Sequence, residues 1–388
     1  MQISQAQNAA AGTALMASCN GTGDQCKQWG DYSTSVDLLL SQENGIVGYE
    51  YRGDRVLGIV VSIFFGIILI VGLVGNALVV LVVLCNRQMR STTNILIMNL
   101  AVADLLFIVV CVPFRGCYYV LSYWPFGDAW CRIVEYFVIV CASASIYTLV
   151  LMSLDRFLGV VYPLRSMSIR RPANGFRCIL LTWTIILVAC VPVLFSHGMV
   201  NVDNLHSFCN YFTPYAGYNI AAFGVSLCML DFVVPLALIF ALYALMLKRL
   251  WLAVPPGGRV TAGCTRAKRR VTKMVFVVAL VFAVCWCPVH VVLFLKSVGL
   301  YGKRMDTPHV VMQIASQVIA YTNSCVNPFL YAFLSDSFRK GFCNVFSCFR
   351  KTSSDIAHAY NKRRATSRVL NAVNGKELVN EEVVLEMD

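Results

Sequence analysis

Apolar residues along this chain gather into long runs broken by short polar gaps. Seven runs stand out, at about 56–85, 93–121, 128–161, 174–196, 216–250, 267–299 and 309–333. A helix needs about 20 such residues to cross roughly 30 Å of hydrocarbon, and every run meets that length. Several exceed it, which predicts tilt or extension past the bilayer. The expected fold is an all-α membrane protein, a bundle of seven transmembrane helices over residues 56–335. Residues 1–55 form a segment ahead of it. Residues 350–388 read as a disordered tail, polar and basic, then acidic at Glu381, Glu382 and Glu386.

Composition agrees with the pattern. Of 388 residues, 58% are apolar and 13% charged, whereas a soluble domain is about half apolar and about a quarter charged. The mean hydropathy is +0.67. A soluble enzyme is excluded. The net charge of +12 raises nucleic acid as a partner, but its placement argues otherwise. Arg87 and Arg90, then Arg165, Arg170 and Arg171, then Lys248, Arg249, Arg259, Arg266, Lys268, Arg269 and Arg270 crowd alternate gaps, as in cytoplasmic loops. Arg339, Lys340, Arg350 and Lys351 continue the series. The leading segment is net acidic (Asp24, Asp31, Asp37, Glu43, Glu50 and Asp54 against Lys27, Arg52 and Arg55). The chain therefore reads as multi-pass in the plasma membrane, amino terminus extracellular and tail cytoplasmic. No basic n-region precedes an apolar stretch at Met1–Cys19, so no cleavable signal is expected and the first span serves for insertion. A transporter or channel would show inverted repeats, broken helix pairs or a selectivity filter, and none is visible in the sequence.

Most of the 17 cysteines sit inside apolar runs, where they act as small hydrophobes. Cys19, Cys26, Cys131 and Cys209 fall where an oxidising outer face lies. Asn20-Gly21-Thr22 is a glycosylation sequon in the outer segment. Pro255-Pro256-Gly257-Gly258 punctuates the third inner gap.

Polar groups inside the spans carry the functional suspicion, because an Asp at mid-helix costs about 2.5–3.5 kcal/mol on insertion scales. Asp104 lies in the second span, Asn76 in the first and Ser145 in the third. Asn323 and Asn327 share one face of the seventh. Two readings stand: a hydrated cation held by these oxygens, or a hydrogen-bond network without an ion, which spacing alone favours. Pro235, Pro288 and Pro328 kink three spans. Asp155-Arg156 closes the third span, either as an interfacial anchor or as a charge-assisted pair.

Together these residues resemble the rhodopsin-like family of G-protein-coupled receptors. The likeness rests on Gly75-Asn76, Leu100-Ala-Val-Ala-Asp104, Cys131, Asp155-Arg156-Phe157, Trp183, Pro235 with Tyr243, Cys285-Trp286-Cys287-Pro288 and Asn327-Pro328-Phe329-Leu330-Tyr331, in order over about residues 56–349. The resemblance implies a Cys131–Cys209 disulfide and a G protein meeting Arg156 once the sixth helix swings outward. Asp155, with Thr272, would hold Arg156 at rest. Trp286 and Pro288 would hinge beneath the ligand, while Tyr243 and Tyr331, the latter after Pro328, steady the open state. It implies a sodium pocket of Asp104, Ser145, Asn323 and Asn327, with Asp104 as the metal's carboxylate and no cofactor beyond that allosteric ion. It also implies a short amphipathic eighth helix at 336–349, palmitoylated at Cys343 or Cys348, and arrestin and kinases acting on the tail. Two departures stand out: Phe157 replaces the usual Tyr, and Lys268 stands where some members place an acid that locks the arginine.

The ligand is narrowed by missing chemistry. Val138 replaces the Asp by which amine receptors hold a cation, and Tyr321 replaces the lysine by which opsins hold retinal. The expected pocket comprises Phe114, Arg115, Tyr118, Glu135, Asp231, His290, Phe294 and Tyr321, with Arg115 and Lys296 leaving room for a free carboxylate. Asp231 and His290 are expected to pair, the alternative being a neutral Asp231 facing another helix. Tyr123-Trp-Pro-Phe-Gly127, the stretch Tyr147 to Phe157, Ser166 to Arg170 and His290 resemble allatostatin-A receptors and their galanin-receptor relatives. The implied agonist is an extracellular amidated neuropeptide of that type, with signalling mainly through Gi/o. The alternative is a galanin- or kisspeptin-related peptide.

Overall fold

The structure is a computed structural model and describes residues 55–86, 89–121, 123–201, 207–211, 219–252, 262–301, 307–345 and 347. Asn20, Cys19, Cys26 and Cys348 lie outside them. Among the described residues, six helical spans are long and apolar enough to cross a membrane: Leu57–Cys85, Thr92–Leu121, Gly127–Val161, Pro172–Ser196, Ala221–Arg249 and Thr272–Ser297. The seventh helix, Thr307–Leu334, is long enough but less apolar. Its Ser316, Asn323, Ser324 and Asn327 are buried, so its polar face looks into the bundle rather than outward.

Each break in a span has a local cause. The second span runs as Thr92–Val110 and resumes as Val112–Leu121, because Pro113 has no N–H for the helical bond to residue 109. Ser91 caps its start, accepting from the Asn94 N–H. The third helix, Gly127–Val161, opens on Gly127 at φ +82°, a conformation that side chains with a Cβ rarely adopt. The fourth begins at Pro172 and ends at Ala189, with one further turn at Val193–Ser196. The fifth is interrupted by a widened turn, Met229–Val233, between Ile220–Cys228 and Val234–Leu252. The sixth runs Ala262–Ser297 with Pro288 inside. Gly299 follows at φ +72°, the left-handed residue that ends many helices.

The second and third spans lie at the centre and are mostly buried, whereas the fourth and fifth are mostly exposed. Outward faces are apolar, as at Ile63, Phe64, Ile67, Leu180, Leu181 and Phe333, which suits lipid and not water. Polar side chains stitch the interior. Asn76 donates to Gly72 O at 2.9 Å and to Ser324 O at 2.8 Å, joining the first span to the seventh. Asn99 donates to Thr148 at 2.8 Å and accepts from Trp183 Nε1 at 2.9 Å, joining the second, third and fourth. At Gly75 a Cβ would stand 2.9 Å from the Pro328 ring, so glycine permits the first span to approach the seventh.

Residues 336–345 are helical. Phe338, Gly341 and Val345 are buried on one side, while Arg339, Lys340 and Cys343 are exposed. Phe338 lies against Tyr331, ring centroids 5.5 Å apart.

Candidate functional site

The end of the bundle that carries the amino terminus is covered by a two-stranded hairpin, β1 (His197–Asn201) and β2 (Ser207–Tyr211), paired antiparallel with Met199 opposite Cys209. Three residues one helical turn apart on the third helix hold it. Asp128 accepts the Met199 N–H at 2.8 Å and is itself bonded by Arg132 at 2.8 Å. Cys131 is disulfide-bonded to Cys209, 78 residues on, the pairing that the resemblance implied. Glu135 sits 3.8 Å from His197 Nε2. Burial, with the Arg115 and Arg132 charges, pushes the His197 imidazole down to about 4 against an opposing bond with the Val193 carbonyl. His197 is therefore neutral near pH 7, and the ion pair of Glu135 is with Arg115.

That pair changes the expected pocket. Arg115 and Glu135 are both largely buried and neutralise one another, so Arg115 does not stand open for a carboxylate as the sequence suggested. Lys296 donates to Gln313 at 2.8 Å. The aromatic set is present but uneven in exposure. Phe114 packs on Phe126 and Trp130, Tyr118 on Tyr119 and Trp124, and buried Tyr321 on Phe65 and Phe107. Phe294 is exposed. Deeper, Trp286 lies 6.1 Å from His290 between ring centroids. Both side chains are buried, and Trp286 Nε1 and His290 Nδ1 have no hydrogen-bond partner.

The expected Asp231–His290 pair is not formed. Asp231 accepts from the Ser143 hydroxyl of the third helix at 2.7 Å, and His290 stacks on Phe232 with centroids 4.7 Å apart. The widened turn in the fifth helix is the reason: it turns Asp231 toward the third helix and leaves its neighbour Phe232 toward the sixth.

In the bundle core, Asp104 accepts from Asn327 Nδ2 at 2.8 Å. Ser145 and Asn323 are also buried, and the side-chain oxygens of Asn323 and Asn327 have no partner. Hard cations take oxygen donors of this kind, so the residues present fit such an ion.

At the opposite end, Asp155 gathers five bonds from three elements, one of them a longer contact from Arg170 Nη2 at 3.4 Å. It accepts from Thr93 at 2.7 Å, from Arg170 Nε at 2.8 Å and from its neighbour Arg156 through Nε at 3.0 Å and through Nη2. Of the two alternatives for Asp155-Arg156, the geometry is that of the charge-assisted pair. Tyr243 donates to the Thr272 carbonyl at 3.2 Å, tying the fifth helix to the sixth, and Tyr331 is fully buried.

The family described as 7 transmembrane receptor (rhodopsin family) matches residues 75–331. The chain belongs to the rhodopsin family of seven-transmembrane receptors. As a rhodopsin-family member it is a multi-pass, G-protein-coupled receptor and not an enzyme. It is similar to the allatostatin-A receptor of Bombyx mori, 53% identical over 298 residues, 76% of this chain and 81% of the relative. It is also similar to the galanin-like G-protein coupled receptor npr-9 of Caenorhabditis elegans, 37% identical over 81% of this chain and 79% of the relative. The galanin receptor type 2 of Rattus norvegicus is 38% identical over 79% of each chain.

Several residues of this receptor were not singled out from sequence. Ser143 and Tyr147 bond the fifth helix, and Asp128 bonds the hairpin. Arg170, which in the sequence marks orientation and the end of the Ser166–Arg170 likeness, lies on Asp155. For Ser143 and Tyr147 the available signal was their spacing of four, which places both on one helical face.

Proposed function

We propose that this receptor is activated by an extracellular, carboxyl-amidated neuropeptide of the allatostatin-A/galanin type and signals mainly through Gi/o. The observation that carries the ligand class is the 53% identity to an allatostatin-A receptor across most of both chains. Amidation is supported by charge: with Arg115 neutralised by Glu135 and Lys296 at the exposed rim, a peptide carboxylate buried beside Trp286 and His290 would lack a counter-ion, whereas a carboxamide needs none. The unpartnered Trp286 and His290 nitrogens suit a group that both donates and accepts. In this reading the amino terminus is extracellular and glycosylated at Asn20. The helix at 336–345 lies on the cytoplasmic membrane surface with Cys343 or Cys348 palmitoylated, and arrestin and kinases act on the tail. The test is receptor-expressing cells given amidated allatostatin-A- and galanin-type peptides, each beside its free-acid form. Amidated forms are expected to be at least about ten-fold more potent, since an unpaired charge costs more than about 1.4 kcal/mol to bury. A response only to amines, lipids or glycoprotein hormones would overturn the class. A response untouched by inhibitors of inhibitory G proteins would overturn the coupling.

Asp104, Ser145, Asn323 and Asn327 hold a sodium ion in the resting receptor. An ion bound better at rest lowers agonist affinity by that preference. Asp104→Asn should therefore make agonist competition curves equal in sodium and in a large organic cation such as N-methylglucamine. A sodium shift unchanged from wild type would leave the network without an ion as the better account.

A further inference from the structure

Arg115 is held from several sides, and only one of them is charged. It lies in Val112–Leu121, the outer segment of the second span. Glu135 of the third helix takes its charge, and the Tyr321 hydroxyl of the seventh lies within reach of the same guanidinium. One turn outward on the second span, the Tyr119 hydroxyl donates to Gln317 at 2.6 Å, which is one turn outward on the seventh. The two helices run in opposite directions, so these contacts are successive rungs of one register. From the first span, the Ser62 hydroxyl donates to Gly116 O at 3.2 Å, and at Gly58 a Cβ would stand 2.7 Å from Tyr119 O. The guanidinium is therefore fixed by its own segment and by Tyr321, and what Glu135 adds is charge. His197 does not compete for that carboxylate. The Ser196 hydroxyl is donated to Val193 O at 3.0 Å, so the His197 Nδ1–H is the donor in the 2.9 Å bond to Ser196 Oγ. The lone pair of Nε2 then faces Glu135, 3.8 Å away.

We propose that Glu135 makes the receptor select a carboxamide over a carboxylate, by standing on Arg115 as an internal carboxylate. This role rests on the reading of the agonist as an amidated peptide and names the side chain that enforces it. A fixed guanidinium is what a carboxylate site requires, and this receptor has one and cancels it. A lone charge acts across a low-dielectric interior well beyond contact, whereas a neutral pair acts weakly beyond its own length. Arg115 with Glu135 therefore gives a peptide end beside Trp286 and His290 almost no net field, and a carboxylate there keeps its desolvation cost. Without the Glu135 charge, Arg115 stays where Tyr321 and its own segment hold it and attracts that carboxylate. A carboxamide is neutral and gains little. Glu135 is thus a specificity-determining residue that need not touch the ligand.

The test uses the full-length receptor in membranes and one allatostatin-A-type peptide in amidated and free-acid forms. The readout is the ratio of the two affinities within each variant, which is independent of expression level. Wild type should favour the amide at least about ten-fold. Glu135→Gln keeps the shape and removes the charge, and the ratio should fall about ten-fold through a gain in free-acid affinity. A folding defect produces no such gain. Arg115→Met leaves the Glu135 charge alone, and the ratio should rise about ten-fold. The double variant is neutral again and should return to within about three-fold of wild type, as should Glu135→Asp, which keeps the charge. If Glu135→Gln fails to reach the surface, Arg115→Met and the double variant decide. A wild-type preference that stays unchanged in Glu135→Gln or in Arg115→Met would overturn the role of Glu135 and leave the amidated-peptide reading standing. Equal affinities for the two forms in wild type would overturn that reading and this role with it.

Discussion

Cys209→Ser should lower agonist affinity on the order of 100-fold and reduce the receptor at the cell surface. The bond spans 78 residues, and closing a loop of that size removes about 4–5 kcal/mol of chain entropy in the simplest account, about 2–4 kcal/mol in practice. The loss falls on β2, which is otherwise stitched to the loop before the third helix, where the Trp124 N–H donates to Ser207 O at 2.7 Å and the Ser207 hydroxyl to Trp124 O at 3.0 Å. The other strand keeps an anchor of its own in the Asp128–Met199 bond. Asp128→Ala should accordingly be milder, about ten-fold or less, as befits one charge-assisted hydrogen bond near the surface. Cys131→Ser should match Cys209→Ser, and the double variant should be no worse than either. Differential alkylation followed by peptide mapping checks the pairing. Recovery of both thiols free in fully active receptor would sink the account.

The spans were legible because hydropathy and length determine them almost independently of sequence detail. The sequence runs 128–161 and 93–121 end within a residue or two of the helices formed. The seventh span was legible too, although its buried amides lower its hydropathy, because its apolar run at about 309–333 still reaches the length of a span. What hydropathy does not register is an extra residue inside a helix. Pro235 announces a kink, but a widened turn depends on which N–H reaches which carbonyl and on a hydroxyl from another span. The facing of Asp231 followed from that turn, so Ser143 and not His290 became its partner. Arg115 failed as an open cation for a similar reason. Glu135, which neutralises it, lies on the next helix, and a pattern along one helix carries no register between two. The hairpin over the pocket was likewise hidden, since His197–Asn201 and Ser207–Tyr211 offer too few residues for a clear alternation.

Asp155→Ala should raise agonist-independent signalling about ten-fold, and Arg170→Ala by a smaller factor. Arg156 is the residue expected to meet the G protein, and here its guanidinium is occupied by Asp155. Asp155 in turn is oriented by Thr93 and Arg170, which fix it between the second helix and the loop after the third. A hydrogen bond to a charged group contributes about 1.5–3 kcal/mol. If about 1.4 kcal/mol of that is confined to the resting state, its loss shifts the resting-to-active ratio ten-fold. The sequence offers Lys268 where some members of the family place an acid that would share the task, so the restraint is expected to fall on Asp155 and its partners. Gly159 supplies the sharper test. A Cβ at that position would stand 2.5 Å from Arg170 Nη1 and 2.9 Å from its Cζ, so Gly159→Ala must push the guanidinium aside without touching Asp155 or Arg156. Basal signalling in Gly159→Ala should rise to the level of Arg170→Ala and should not rise further when the two are combined. The measurement is G-protein activation without ligand, normalised to surface receptor. Wild-type basal activity in Asp155→Ala, or additive effects of Gly159→Ala and Arg170→Ala, would show that the loop arginine does not restrain the third helix through Asp155.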